Sequence, residues 1–177
     1  MYTYLFSYYI IPLLTLWLAR GTQYLHSNFS TIRSAFERQL EFSLWCLITG
    51  LYFFISIRRL YRNFSSANRL PAIAAGLLLA SALFPYLPED LPVLSLLHLL
   101  TAFTSSVLLY YCLLNLSLTL YEREPALGRP ALLLLIASIS FCLAAWAYSG
   151  IINTAMEICL VFTACLLIRR FSLLFAK

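Results

Sequence analysis

The sequence predicts an all-α, polytopic membrane protein, with residues 1–177 forming one domain of six transmembrane helices and both ends in the cytoplasm. Three observations carry that expectation. Hydrophobic residues make up 62% of the chain and charged residues only 11%, where soluble domains carry about 25% charged residues. A chain of this size leaves a large share of its surface uncovered on folding, and lipid can face apolar surface that water cannot. The apolar residues also fall into six runs, and the basic residues collect between alternate runs.

Crossing the hydrocarbon core takes about 20 mostly apolar residues. The runs cover 4–18, 42–57, 70–87, 91–120, 130–148 and 151–168. Helices are expected, because lipid offers the backbone no partners and the alternation of a closed barrel is missing. The first run lacks the basic start and small-residue cleavage site of a signal peptide, so it is expected to stay in the mature protein. Ser34 and Glu37 form an S-x-x-E capping box for the second helix. Asp90 is expected to cap the fourth, with Pro92 in its first turn. Glu124-Pro125 and Gly128-Arg129-Pro130 punctuate the connection into the fifth. Ser149-Gly150 ends the fifth with a glycine C-cap, so the fifth and sixth helices are antiparallel neighbours.

Arginine placement sets the orientation. Arg58, Arg59, Arg62, Arg69, Arg123, Arg129, Arg169, Arg170 and Lys177 share one side in a six-span plan, against Arg20, Arg33 and Arg38 on the other. The richer side is the cytoplasm, in a plasma membrane and specifically a bacterial cytoplasmic membrane. A five-span plan would mix the two groups.

Several functions drop out. The net charge of +5 flanks apolar spans instead of forming a face or tail, so no nucleic-acid partner is expected. The five cysteines lie in apolar runs without metal-type spacing and read as packing residues. No Gly-rich phosphate loop, H-E-x-x-H or G-x-S-x-G pattern occurs. No cofactor and no metal is expected. Asn28-Phe29-Ser30 is a glycosylation sequon on the outer side, of consequence in a eukaryotic source.

Ionisable residues inside a span are costly and mark candidate sites. His98 and Glu157 lie roughly 10 Å and 9 Å in from the outer ends of the fourth and sixth helices, at 1.5 Å per residue. Thr101 and Ser105 continue the His98 face, and Asn153 precedes Glu157 by one turn. The first outer connection adds His26, Asn28, Ser30, Arg33 and Glu37, and the third-to-fourth connection Glu89 and Asp90. The candidate ligand-binding set is His98, Glu157, Asn153, Thr101, Asn28, Ser30 and Arg33. The plainer reading makes Glu157 a first-turn carboxylate in a helix capped by Asn153, and His98 a packing histidine. The Arg58, Arg59, Arg62 cluster reads as topology and headgroup contact.

Phe84-Pro85 before His98, with Asn28-Phe29-Ser30 and Glu157, resembles the pattern of the Frag1/DRAM/Sfk1 group and the related bacterial DUF998 proteins. The resemblance covers the hydropathy plan of nearly the whole chain. A glycine that usually follows the loop serine is replaced here by Ile32-Arg33. The resemblance implies a six-helix bundle with a polar site toward the outer leaflet, and lipid handling among eukaryotic relatives.

Three functions compete. The first is binding or sensing of a lipid or small amphiphile without catalysis, with membrane lipids as partners. The second is a substrate-binding subunit of an energy-coupling-factor type uptake transporter, with a partner membrane subunit or a homo-oligomer. Leu13, Leu14, Leu16 and Leu18 leave that subunit no small-residue docking face. The third is a lipid-modifying enzyme with His98 as general base oriented by Glu157, for which the sequence offers no obvious nucleophile.

Overall fold

The computed structural model describes residues 2–34, 36–63 and 69–174, with the backbone alone at 33, 34, 36 and 63. The described residues are helical throughout, joined by short turns and without a strand. We label the helices α1 (Tyr2–Ala19), α2 (Phe29–Ser34), α3 (Gln39–Asn63), α4 (Leu70–Leu83), α5 (Pro92–Arg123), α6 (Pro125–Ser149) and α7 (Thr154–Leu174). Four of them, α1, α3, α5 and α6, are long and apolar enough to cross a membrane. The 14 residues of α4 are apolar but short. The 21 residues of α7 carry Glu157, Arg169 and Arg170.

Local chemistry explains the boundaries. Pro12 cannot donate to the carbonyl one turn back, and the turn before it, Phe6–Ile10, is π-helical, with the Ile11 N–H reaching the Phe6 carbonyl. Pro85 biases Phe84 toward an extended conformation, so α4 ends at Leu83 and not at the expected 87. The expected Asp90 cap is corrected: Leu91 occupies the cap position of α5 and no side chain caps it. The Ser34 side chain of the expected Ser34–Glu37 box lies outside the described residues; along the backbone Ser34 ends α2 and a 3₁₀ turn, Phe36–Arg38, leads into α3. At the other end of α5 a single residue, Glu124, separates it from α6. Pro125 opens α6 and Pro130 lies within it, so the helix starts five residues earlier than expected. Gly150 takes the left-handed conformation (φ 72°) and donates its N–H to the Trp146 carbonyl, the expected C-cap.

The helices pack in chain order around a ring: α3 on α4, α4 on α5, α5 on α6, α6 on α7, with α7 closing against α1 and α1 against α3. The small α2 lies over the ends of α1 and α3. The interior holds Ser7, Thr15, Thr49, Ser81, Ser95, His98, Ser105, Ser117 and Asn153 beside its Leu, Ile and Phe residues. The outer surface displays leucines, isoleucines and aromatics along every long helix. That distribution suits a bundle in lipid, where burying apolar side chains brings no advantage and interhelical hydrogen bonds hold the helices together. Tyr61 donates to the Cys112 carbonyl at 3.2 Å, Ser105 to Ala74 at 2.7 Å, Tyr110 to Leu160 at 3.1 Å and Trp45 to the Thr15 hydroxyl at 3.0 Å. Ser7 and Tyr52 add a further hydrogen bond between α1 and α3.

One end of the bundle brings the chain's two ends together: Arg169 of α7 stacks over Tyr4 and Arg59 of α3 over Tyr2. At the opposite end Arg38 donates to the Leu18 and Arg20 carbonyls at 2.8 and 3.0 Å, capping α1. Glu41 bridges the two arginines of that corner, pairing with Arg38 at 2.8 Å and Arg20 at 2.7 Å.

Candidate functional site

The site is built where two helix N-termini converge. Every first-turn N–H of α7 has a partner. Thr154 N–H donates to Ser27 O at 2.7 Å, Ala155 to Tyr24 O at 3.0 Å, Met156 to Asn153 Oδ1 at 3.1 Å and Glu157 to Asn153 O at 3.2 Å. The connection 20–28 is thereby fastened across the top of α7. Asn28 then caps α2, its Oδ1 accepting the Thr31 N–H at 3.0 Å, while its Nδ2 donates to Ile152 O at 3.3 Å. The first N–H of α2, from Phe29, goes to Glu157 Oε2 at 2.7 Å. A carboxyl group from the first turn of α7 therefore closes the start of α2.

His98 is fully buried in α5. Its Nδ1 lies 2.8 Å from Ser81 O and 3.2 Å from Phe84 O, and its Nε2 lies 3.0 Å from Ser30 Oγ. Carbonyl oxygens only accept, so the ring proton sits on Nδ1. Phe42 and Tyr86 hold the ring from two sides, with centroids at 5.8 and 5.6 Å. Consecutive α2 residues, Phe29 and Ser30, thus link Glu157 to His98.

Ser30, His98 and Glu157 line one interior cavity of about 100 Å³, continued by apolar residues of α3, α4 and α5. A second, shallower space of about 330 Å³ runs along the outside of the bundle between α5, α6 and α7. Ser30, Ala102, Ser106, Tyr110, Glu157 and Leu160 belong to both walls, so the two spaces adjoin across these residues. The outer groove is flanked by Leu99, Phe103, Val107, Ile139 and Ile152, all exposed on the bundle surface. Its polar end is Asn28, Ser30 and Glu157.

The structure brings together four of the seven residues singled out in the sequence: His98, Glu157, Asn28 and Ser30. Asn153 is spent on capping α7 and on Ser149 Oγ at 2.9 Å. Thr101 turns back on its own helix, donating to Leu97 O at 2.8 Å and His98 O at 3.0 Å. The Arg33 side chain lies outside the described residues. His26, Glu37, Glu89 and Asp90 are exposed at the bundle end. Sequence reasoning missed Thr49, whose buried hydroxyl lines the cavity without a hydrogen-bond partner among the described residues. It also missed Phe42 and Tyr86, whose one signal was their aromatic character near the outer ends of the spans. Among the described residues no group of three metal-ligating side chains occurs.

No protein-family model matches the chain, and no curated protein or solved structure does.

Proposed function

We propose that the chain is a six-span membrane protein, both ends inside, whose outer-leaflet pocket binds a lipid or small amphiphile. The observation that carries this reading is a cavity with Ser30, His98 and Glu157 in its wall lying against an apolar groove on the outer flank, the two sharing Ser30 and Glu157. An amphiphile needs such a pairing: a slot for chains that opens sideways to lipid, and convergent polar groups at one end for the head. Ser30, Asn28 and Glu157 would meet the head, and the α5–α6–α7 groove would take a chain.

Two features support six spans. α4 and α7 complete the ring on the same footing as the four longer helices. The meeting of Tyr2 and Tyr4 with Arg59 and Arg169 gathers the arginine-rich connections and both chain ends at one pole, as the positive-inside rule demands of a cytoplasmic face. A bacterial cytoplasmic membrane fits this plan. Kinship with the Frag1/DRAM/Sfk1 and DUF998 proteins belongs to the same proposal. It is supported by Phe29, Ser30, Phe84, His98 and Glu157, which hydrogen-bond to one another here.

Mass spectrometry of lipids and metabolites on gently purified protein tests the reading. The comparison is with His98→Ala/Glu157→Leu, and with Ala102→Trp, which plugs the groove and leaves the polar end intact. An amphiphile enriched on the native protein and depleted from both variants is expected. The same bulk lipid on all three would overturn it.

A further inference from the structure

We infer that Ser30 and His98 form a nucleophile–base pair that transfers the acyl group of an ester-bearing amphiphile. The inference rests on the amphiphile-binding reading and adds chemistry to it.

The hydrogen-bond directions support it. The two carbonyls place a proton on Nδ1, which leaves Nε2 to face the Ser30 hydroxyl at 3.0 Å, and in the neutral ring that nitrogen accepts the hydroxyl proton. A serine donating to a fixed imidazole is the arrangement that activates an otherwise weak alcohol. The orienting partners are two main-chain carbonyls, Ser81 O and Phe84 O, held by the end of α4 and its extended exit. The expected orienter, Glu157, instead fixes the backbone of α2 through Phe29 and is a positioning residue.

Ser30 also differs from those hydroxyls of the bundle that turn back on their own helices. Ser81, Ser106, Ser117 and Ser149 donate to carbonyls three or four residues back in their own helices. Ser30 instead reaches an imidazole 68 residues away, at the junction of the groove and the inner cavity. The Thr49 hydroxyl, buried in the wall of that cavity and without a hydrogen-bond partner among the described residues, is a further polar group of the same cavity.

The step balances with water as co-reactant. Ser30 Oγ bonds to the ester carbonyl carbon while its proton passes to His98 Nε2. The tetrahedral carbon then expels the alcohol, which takes that proton and leaves an ester on Ser30. Water attacks the acyl carbon, yields its proton to Nε2, and Ser30 departs and regains it. An ester and water become a carboxylic acid and an alcohol.

The test uses the whole protein in lipid nanodiscs with a long-chain alkyl fluorophosphonate, which traps activated serines. One adduct per chain is expected, mapped by peptide mass spectrometry to Ser30. Its formation should be lost in Ser30→Ala and slowed at least about 100-fold in His98→Ala. Imidazole added to His98→Ala should restore part of the labelling, which a merely structural hydrogen bond would not produce. No adduct on native protein, beside a membrane serine hydrolase that labels in the same nanodiscs, would overturn the inference. So would an adduct at another residue. The native-protein result decides the matter even if a variant does not fold. An amphiphile retained on Ser30→Ala and on unlabelled native protein would leave the binding reading standing while the catalytic one fails; absence of any enriched amphiphile would remove both.

Discussion

Glu157 shows why position within a helix matters more than burial for a polar side chain. Its Oε2 accepts the Phe29 N–H, and its own N–H is taken by Asn153 O, so the residue closes two helix starts at once. Glu157→Gln keeps an acceptor oxygen for Phe29 and should cost within about 1 kcal/mol, whereas Glu157→Leu orphans that N–H and should cost roughly 1–3 kcal/mol. Thermal unfolding in detergent should rank native, Gln and Leu in that order; Leu matching the native protein would show that the contact holds nothing. The places of His98 and Glu157 near the starts of their helices were legible in the sequence, because Pro92 and Asn153 mark where those helices begin. The partnership of Ser30 with His98 was not, since it depends on a connection that folds back over 68 residues of chain. Thr101 and Asn153 show the converse: each shares a face or a turn with a site residue, yet satisfies a nearer backbone group, as hydroxyls and amides readily do.

At the scale of elements, glycine and proline decide where α5 and α6 meet. A Cβ at Gly128 would fall 2.3 Å from the Tyr121 Cα and 2.4 Å from its backbone nitrogen, so no side-chain shift could relieve it. Gly128→Ala should therefore force the two helices apart and give a poorly folded protein. Gly76→Ala, with nothing within 4 Å, should be neutral or gain up to about 1 kcal/mol from helix propensity. Monodispersity on size exclusion, with melting temperature, separates the two outcomes; equal behaviour would mean that α5 and α6 do not approach this closely. Six helices were readable because runs of apolar residues have few alternatives in lipid. The start of α6 was misjudged because proline breaks a helix by clashing with the carbonyl four residues back. For Pro130 that residue is Ala126 in the first turn, where the helix end can splay. The six-residue α2 was missed because it is too short to show a period; Asn28 was read as a sequon and a candidate site residue, and not as the cap it is.

The molecule as a whole turns on whether the short α4 crosses the bilayer. Its 14 residues rise about 21 Å against a hydrocarbon core of about 30 Å, a mismatch that local thinning and flanking extended chain can accommodate. Its place in the ring argues that it crosses, since α3 and α5 pack along its two sides and His98 reaches its terminal carbonyls. The consequence is concrete. If α4 crosses, the turn holding Glu89 lies on the same side as Tyr24, outside; if only α1, α3, α5 and α6 cross, Glu89 is inside. Glu89 and Tyr24 are both exposed, as are Arg62 and Glu124 at the opposite pole. Cys46, Cys112, Cys142 and Cys165 are buried and Cys159 is partly so, which keeps native labelling low. A membrane-impermeant maleimide on intact cells should therefore modify Tyr24→Cys and Glu89→Cys, and modify Arg62→Cys and Glu124→Cys only after permeabilisation. Labelling of Glu89→Cys only after permeabilisation would return the chain to four spans and place His98 away from the outer leaflet. Exchanging Arg58, Arg59 and Arg62 for Gln should blur the contrast if, as the six-span proposal has it, those charges hold that connection inside.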